Sequence, residues 1–135
     1  MLQTRELFDT MTDKGGFDSA VLADAVDVLQ ECEEAVTACA TGMLAGSDAA
    51  QQTSGIGRDL DCADVAGTTR RVLTRSSGPA DTLVRTQLEA CLVACERSNE
   101  LCGAQAGHHA HCRICAETTG RCAEMCRRLL GTLPG

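Results

Sequence analysis

Four cysteines and three histidines fall within nineteen residues, His108 to Cys126 (HHAHCRICAETTGRCAEMC), and six further cysteines stand upstream at Cys32, Cys39, Cys62, Cys91, Cys95 and Cys102. Thiols and imidazoles in such number suit a zinc site, a disulfide framework, a redox pair, or a cluster of a soft metal ion. The opening MLQTRELFDTMTDKGG has neither the basic n-region nor the apolar run of a signal peptide, and no later segment approaches about eighteen apolar residues. The expectation is a cytoplasmic protein with no membrane partner. There thiols stay reduced, which favours metal or catalytic roles over disulfides.

These residues must be positioned by a chain of 135 residues, the length of one ordinary domain. Its composition is 44% hydrophobic but only 1% aromatic, so the interior has to be built from Ala, Val, Leu and Cys. The net charge of -7, with Lys14 as the only lysine, leaves no basic stripe for phosphates and excludes nucleic acid as the expected partner. No segment shows the period-two alternation of strands. Glycine and proline instead divide the chain into four helical stretches, about 18 to 45, 47 to 75, 79 to 105 and 108 to 130. Gly15 and Gly16 precede an N-cap at Asp18, with Phe17 stapling onto Leu22; Gly46 and Gly131 act as stops, Ser47 as a cap, and Pro79 suits a first turn. The expected architecture is all-α, an antiparallel up-down-up-down four-helix bundle over 17 to 135 with a short arm or helix over 1 to 16.

Written with the three-four spacing that keeps one face on a bundle axis, the helices give four inward stripes. The first is Leu22, Ala25, Leu29, Cys32, Val36, Cys39, Met43, and the second is Gly55, Asp59, Cys62, Ala66, Thr69, Leu73, Ser76. The third is Val84, Leu88, Cys91, Cys95, Ser98, Cys102, Gln105, and the fourth is His108, Cys112, Cys115, Thr119, Cys122, Cys126, Leu129. All ten cysteines lie on these stripes. A rise of ~1.5 Å per residue places Cys39, Cys102, Cys112 and Cys115 near one end with His108, His111 and Met43. It places Cys32, Cys62, Cys91, Cys95, Cys122 and Cys126 around the middle, and leaves Leu22, Ala25, Leu73, Val84, Leu88 and Leu129 at an end without sulfur.

A structural zinc takes four tetrahedral ligands from converging turns, whereas the one CxxC here, Cys112 and Cys115, sits in a helical pattern. Cu(I) is soft and accepts low coordination, so two sulfurs can hold one ion, and Cys91 with Cys95, Cys112 with Cys115, and Cys122 with Cys126 are so placed. Shared thiolates set a ceiling of about one ion per cysteine, on the order of ten. Zinc at Cys102, Cys112, Cys115 and a histidine, a metal-free bundle whose cysteines only pack, and a redox protein using Cys112 and Cys115 stay open. His109 reads as a solvated surface residue. Nothing in the chain marks it as an enzyme, since phosphate-binding glycine loops and nucleophile-base patterns are missing.

The stretches RDLDCADVAGTTRRVL, ACLVACERSNELC and HAHCRICAETTGRCAEMC, within a span of roughly 18 to 130, resemble the cytosolic copper storage proteins, cysteine-rich four-helix bundles. The resemblance implies several Cu(I) ions per chain, storage or sequestration rather than catalysis, a homotetramer, and supply by a copper chaperone. It implies thiolate ligation by Cys32, Cys39, Cys62, Cys91, Cys95, Cys102, Cys112, Cys115, Cys122 and Cys126. It makes His108 and His111 entry groups, although by type they also suit exposed loop histidines; Met43, near the thiol end by its spacing, reads either as core filler or as a further metal ligand. Where that pattern implies further cysteines this chain has Ala25, Leu29, Val36, Met43, Ala66, Ser98 and Thr119, so a smaller cluster or an altered role is also open.

Overall fold

The computed structural model describes residues 2–11, 17–76 and 78–134; nothing of Met1, 12–16, residue 77, Gly135 or the Leu2 side chain enters below, so the reading of Gly15 and Gly16 lies outside it. The described residues form helices and turns and no strand. The helices are α1 (Leu2–Asp9), α2 (Ser19–Ala45), α3 (Thr53–Thr74), α4 (Thr82–Gln105) and α5 (Ala110–Thr132), with a single 3-10 turn, Ala49–Gln52, before α3. Each long helix packs on its neighbours in sequence, and α5 closes the ring on α2. The result is an up-down-up-down four-helix bundle with α1 laid against α2. Phe8 buries its ring from α1 with 1% exposure, and Thr4 donates to Asp27 at 3.2 Å.

Local chemistry sets the ends. Asp18 accepts from the Ala20 amide at 2.7 Å and starts α2, while Phe17 and Leu22 on either side of the cap are both buried. Asp81 plays the same part for α4, accepting from the Leu83 amide at 2.9 Å. That cap moves the start of α4 past Pro79, which lies in the preceding turn rather than in the helix. The turn is made by Gly78, whose φ of 115° belongs to a region that side chains with a Cβ avoid.

Three further boundaries differ from the sequence expectation. Ser47 caps nothing, because Asp48 and its neighbours form the 3-10 turn and α3 begins only at Thr53. His108 is outside α5: the His108 and His109 amides bond back to Gln105, ending α4, and His109 becomes the N-cap position of α5. Gly131 does not stop α5, which continues to Thr132 so that Leu133 can turn into the core at 8% exposure.

The inward stripes are as the spacing predicts. Every member is buried apart from Gln105, which is half-buried, and His108, which is exposed. α3 tolerates its glycines because one of them makes room: a Cβ at Gly67 would lie 3.0 Å from the Glu33 carboxylate, which pairs there with Arg70 at 3.2 Å. At the end without sulfur, Leu22, Leu73, Val84, Leu88 and Leu129 form an ordinary hydrocarbon core.

That end should carry much of the stability of the metal-free chain. Leu88→Ala, at a site with no exposure, is expected to cost about 2–5 kcal/mol in urea unfolding followed by circular dichroism. Leu83→Ala, one helical turn away and 55% exposed, should cost less than about 0.5 kcal/mol. Equal effects would contradict this placement of the core.

Candidate metal centre

All ten cysteines are free thiols, and none is more than 2% exposed. They divide into two sets along the bundle axis, with the membership that helical rise predicts. In the deep set, Cys32 from α2, Cys62 from α3 and Cys95 from α4 form a near-equilateral triangle, with Sγ separations of 3.8, 3.8 and 4.0 Å. Cys91 lies one turn from Cys95 at 4.0 Å. Cys122 and Cys126 of α5 complete the set: Cys32, Cys95 and Cys122, and likewise Cys91, Cys122 and Cys126, lie within 4.8 Å of one another. No oxygen or nitrogen ligand belongs to either trio.

The second set is at the mouth. Cys39 Sγ is 3.8 Å from both Cys102 and Cys112, and Cys102 donates to Cys115 at 3.1 Å. Among them stands Asp59 of α3, with no exposure, accepting from Ser98 Oγ at 2.6 Å and facing Cys102 at 3.5 Å and Cys115 at 3.7 Å. Burial pushes the Asp59 carboxyl up to about 7, while the Ser98 bond opposes the shift. The bond from Cys102 holds the Cys115 thiol down at about 5 and the Cys102 thiol above its usual range, and burial raises Cys112. A proton shared unevenly between neighbouring thiols is what a metal ion would replace.

His111 and His109 close this end. His111 Nδ1 lies 3.4 Å from Cys39 Sγ and 3.5 Å from Cys112 Sγ. His109 stacks on it with ring centroids 5.2 Å apart, and its Nε2 is 3.7 Å from Asp48. The His111 ring fits because residue 42 is glycine: a Cβ there would lie 3.0 to 3.2 Å from Cδ2, Nε2 and Cγ. At this end a cleft of about 110 Å³ is lined by Met43, Gln51, Gln52, Gly55, Cys102 and Cys112, among others, and reaches the first thiols.

Of the expected site residues, the structure brings together all ten cysteines, His111 and Met43. His108 is exposed on the α4–α5 connection and has no ring contact with His111, whereas its half-buried neighbour His109 stacks on that ring. Asp59 was on the inward stripe of α3 but unassigned; a carboxylate one turn before an inward cysteine was the available signal. Cys112 and Cys115 do not act as a pair, since the first joins Cys39 and His111 and the second joins Cys102 and Asp59. Their burial is the opposite of the exposed thiolate that disulfide exchange needs. Among the described residues, no helix is long and apolar enough to cross a membrane.

Residues 18–131 match the family model described as copper storage protein. The chain is also similar to a solved structure of the copper storage protein Ccsp from Streptomyces lividans loaded with 10 copper equivalents, at 37% identity and a TM-score of 0.91 over 96% of this chain and 99% of that one. A second structure, of a cytosolic copper storage protein from Streptomyces lividans with five coppers, is 36% identical with a TM-score of 0.81 over 85% of this chain and 96% of that one. Among curated protein sequences none matches.

The contact between Gly42 and His111 yields a prediction. Gly42→Ala should keep or slightly raise helix stability, by up to about 1 kcal/mol, while driving the His111 ring off Cys39 and Cys112. Thiol-reagent labelling of the metal-free protein should then speed up several-fold at Cys39 and Cys112 and stay unchanged at Cys62 and Cys126. Unchanged labelling throughout would contradict the fit.

Proposed function

The chain belongs to the copper storage protein family, and on that premise we propose that it takes up copper as Cu(I) in the cytoplasm and holds it on the thiolates of its bundle core. The observation that carries this reading is the burial of all ten thiols in two contiguous sets, in which Asp59 and His111 are the nitrogen- or oxygen-bearing members of the candidate ligand groups. Cu(I) is soft and content with two or three sulfurs, so a triangle of thiols 3.8 to 4.0 Å apart suits it without rearranging the helices. Copper is the cargo, and the family is one of storage rather than catalysis.

On this reading Cys32, Cys39, Cys62, Cys91, Cys95, Cys102, Cys112, Cys115, Cys122 and Cys126 are the ligands. His111, backed by His109, is the first stop for an incoming ion, and Met43 is a soft wall of the cleft. Each ion that enters displaces thiol protons, which leave by the same end. The similar Streptomyces protein holds 10 copper equivalents, and ten cysteines here support about one ion per thiol. The residues expected to be cysteine by resemblance, from Ala25 to Thr119, are all buried and offer no thiolate, so capacity is set by the cysteines that remain. A homotetramer, and loading at the histidine end by a copper chaperone, complete the proposal.

The test is an anaerobic titration of reduced protein with Cu(I) against a chromophoric chelator, counting bound copper and remaining thiols. About ten ions per chain with nearly all thiols protected is expected. Binding of one ion or none would contradict the proposal, and a Cys62→Ser, Cys126→Ser double variant should lower the capacity while leaving helix content unchanged.

A further inference from the structure

Acid and base are divided between two neighbouring helices. α2 carries Asp24, Asp27, Glu31, Glu33 and Glu34 and no basic residue, whereas α5 carries Arg113, Arg121, Arg127 and Arg128 against Glu117 and Glu124. Some of these charges are used within the chain, Glu33 with Arg70, Arg127 with Glu96, and Arg113 with Glu117. Asp24, Glu31, Arg121 and Arg128 are not. All four are exposed, and among the described residues none of them has an ion-pair partner.

These four stand on the two walls of one groove. α2 and α5 run antiparallel, and between them lie two hollows of about 340 and 550 Å³ that share Asp24 and Arg128 at their boundary. Val21, Ala25, Met125 and Leu129 line the first, and Val28, Ala116 and Gly120 line the second. The approach of His111 to Gly42 fixes the register of the two helices. Counting from that contact puts Glu31 within one residue of the level of Arg121, and Asp24 within one residue of the level of Arg128. Val21, Asp24, Val28 and Glu31 keep the three-four spacing of a single helix face, as do Ile114, Glu117, Arg121, Glu124 and Arg128. Val21 and Ile114 add apolar surface at 43% and 49% exposure.

We infer that this α2–α5 face joins two copies of the chain about a two-fold axis parallel to the bundle axis. Such an axis lays α2 of one copy over α5 of the other at the same height. Asp24 of each copy then meets Arg128 of the other, and Glu31 of each meets Arg121 of the other, because a two-fold contact repeats every pair. The alternative two-fold in the plane of the face runs across the helices and sets α2 against α2, carboxylate on carboxylate. Charge therefore selects the axis. The face is about 26 Å long at a rise of about 1.5 Å per residue and about 20 Å wide across two helices. That is about 500 Å² per copy, which reaches the roughly 1,000 Å² in total that a specific interface needs. Both histidine ends point the same way in such a pair. The pairing needs no metal, and it gives the assembly proposed above one of its faces and the symmetry of that face.

The experiment measures particle mass by sedimentation for the reduced, metal-free full chain and for two charge-reversed variants, Asp24→Arg with Glu31→Arg, and Arg121→Glu with Arg128→Glu. The parent chain is expected as a dimer or a larger particle. Each variant alone sets like charges against each other at all of these contacts. Its association should weaken by more than about 100-fold, and its mass should fall to half the parent's or less. Mixed one to one, the two variants oppose unlike charges again and should recover the parent mass, a result that charge pairs within one chain do not produce. Circular dichroism should show unchanged helix content, since all four side chains are exposed. If a double variant does not fold, Glu31→Arg against Glu34→Arg decides, because Glu34 borders the hollow beside Arg70 on the other side of α2 and should leave the mass unchanged. A parent mass that neither variant alters overturns this face and leaves the assembly standing, whereas a monomeric parent overturns both. Variants that stay apart when mixed overturn the charge pairing and the axis with it. Copper capacity, read on the same samples, separates these outcomes from the storage reading, which fails only if the parent binds no copper.

Discussion

A cysteine placed every three or four residues on a helix stays on one face, and four such helices can bury those faces only against one another. That constraint governs this molecule. Sulfurs converging on the axis meet at 3.8 to 4.0 Å, their ordinary contact distance, so the helices pack closely with no ring between them. The two phenylalanines, Phe8 and Phe17, sit outside the four-stripe interior, at α1 and at the start of α2. A row of thiols gives less hydrophobic stabilisation than a row of leucines. The hydrocarbon end around Leu73, Leu88 and Leu129 offsets the difference, and the thiols stay available for ligation rather than being needed to hold the fold.

The two ends of the core therefore divide the work. One end packs hydrocarbon side chains against one another, and the other presents sulfur in an order of decreasing access, from the cleft beside Met43, through Cys112 and Cys102, to the six thiols at the centre. The imidazole and the carboxylate stand where the gradient begins. His111 is held in place by the absence of a side chain at Gly42, and Asp59 is kept in position by Ser98. Donor type changes along the axis as well, from nitrogen and oxygen with sulfur at the mouth to trios of sulfur alone inside.

Much of this was legible in the sequence, because helical periodicity is a property of spacing. The stripes, the bundle and the partition of cysteines between mouth and middle all follow from counting residues. What spacing does not carry is the chemistry of the connections. Ser47, Pro79, Gly131 and His108 each looked like a boundary or mouth residue by type, but the Asp48 turn, the Asp81 cap, the burial of Leu133 and the return of the His108 and His109 amides to Gln105 set the actual ends. A shift of two residues at the start of α5 was enough to put His109, rather than His108, against the His111 ring. Asp59 was on its stripe but unassigned, since a carboxylate among thiols acquires meaning only when its neighbours from α2, α4 and α5 are placed around it.

The central claim is that the bundle axis is a continuous sulfur-lined container closed at one end by hydrocarbon. Anomalous diffraction at the copper edge from crystals of the Cu(I)-loaded protein tests it most directly. The account predicts copper peaks in both thiol sets, from His111 inward to Cys91 and Cys126, and none between Leu22, Leu73, Leu88 and Leu129. Copper confined to the histidine end, with the deep thiols empty at full loading, would contradict it.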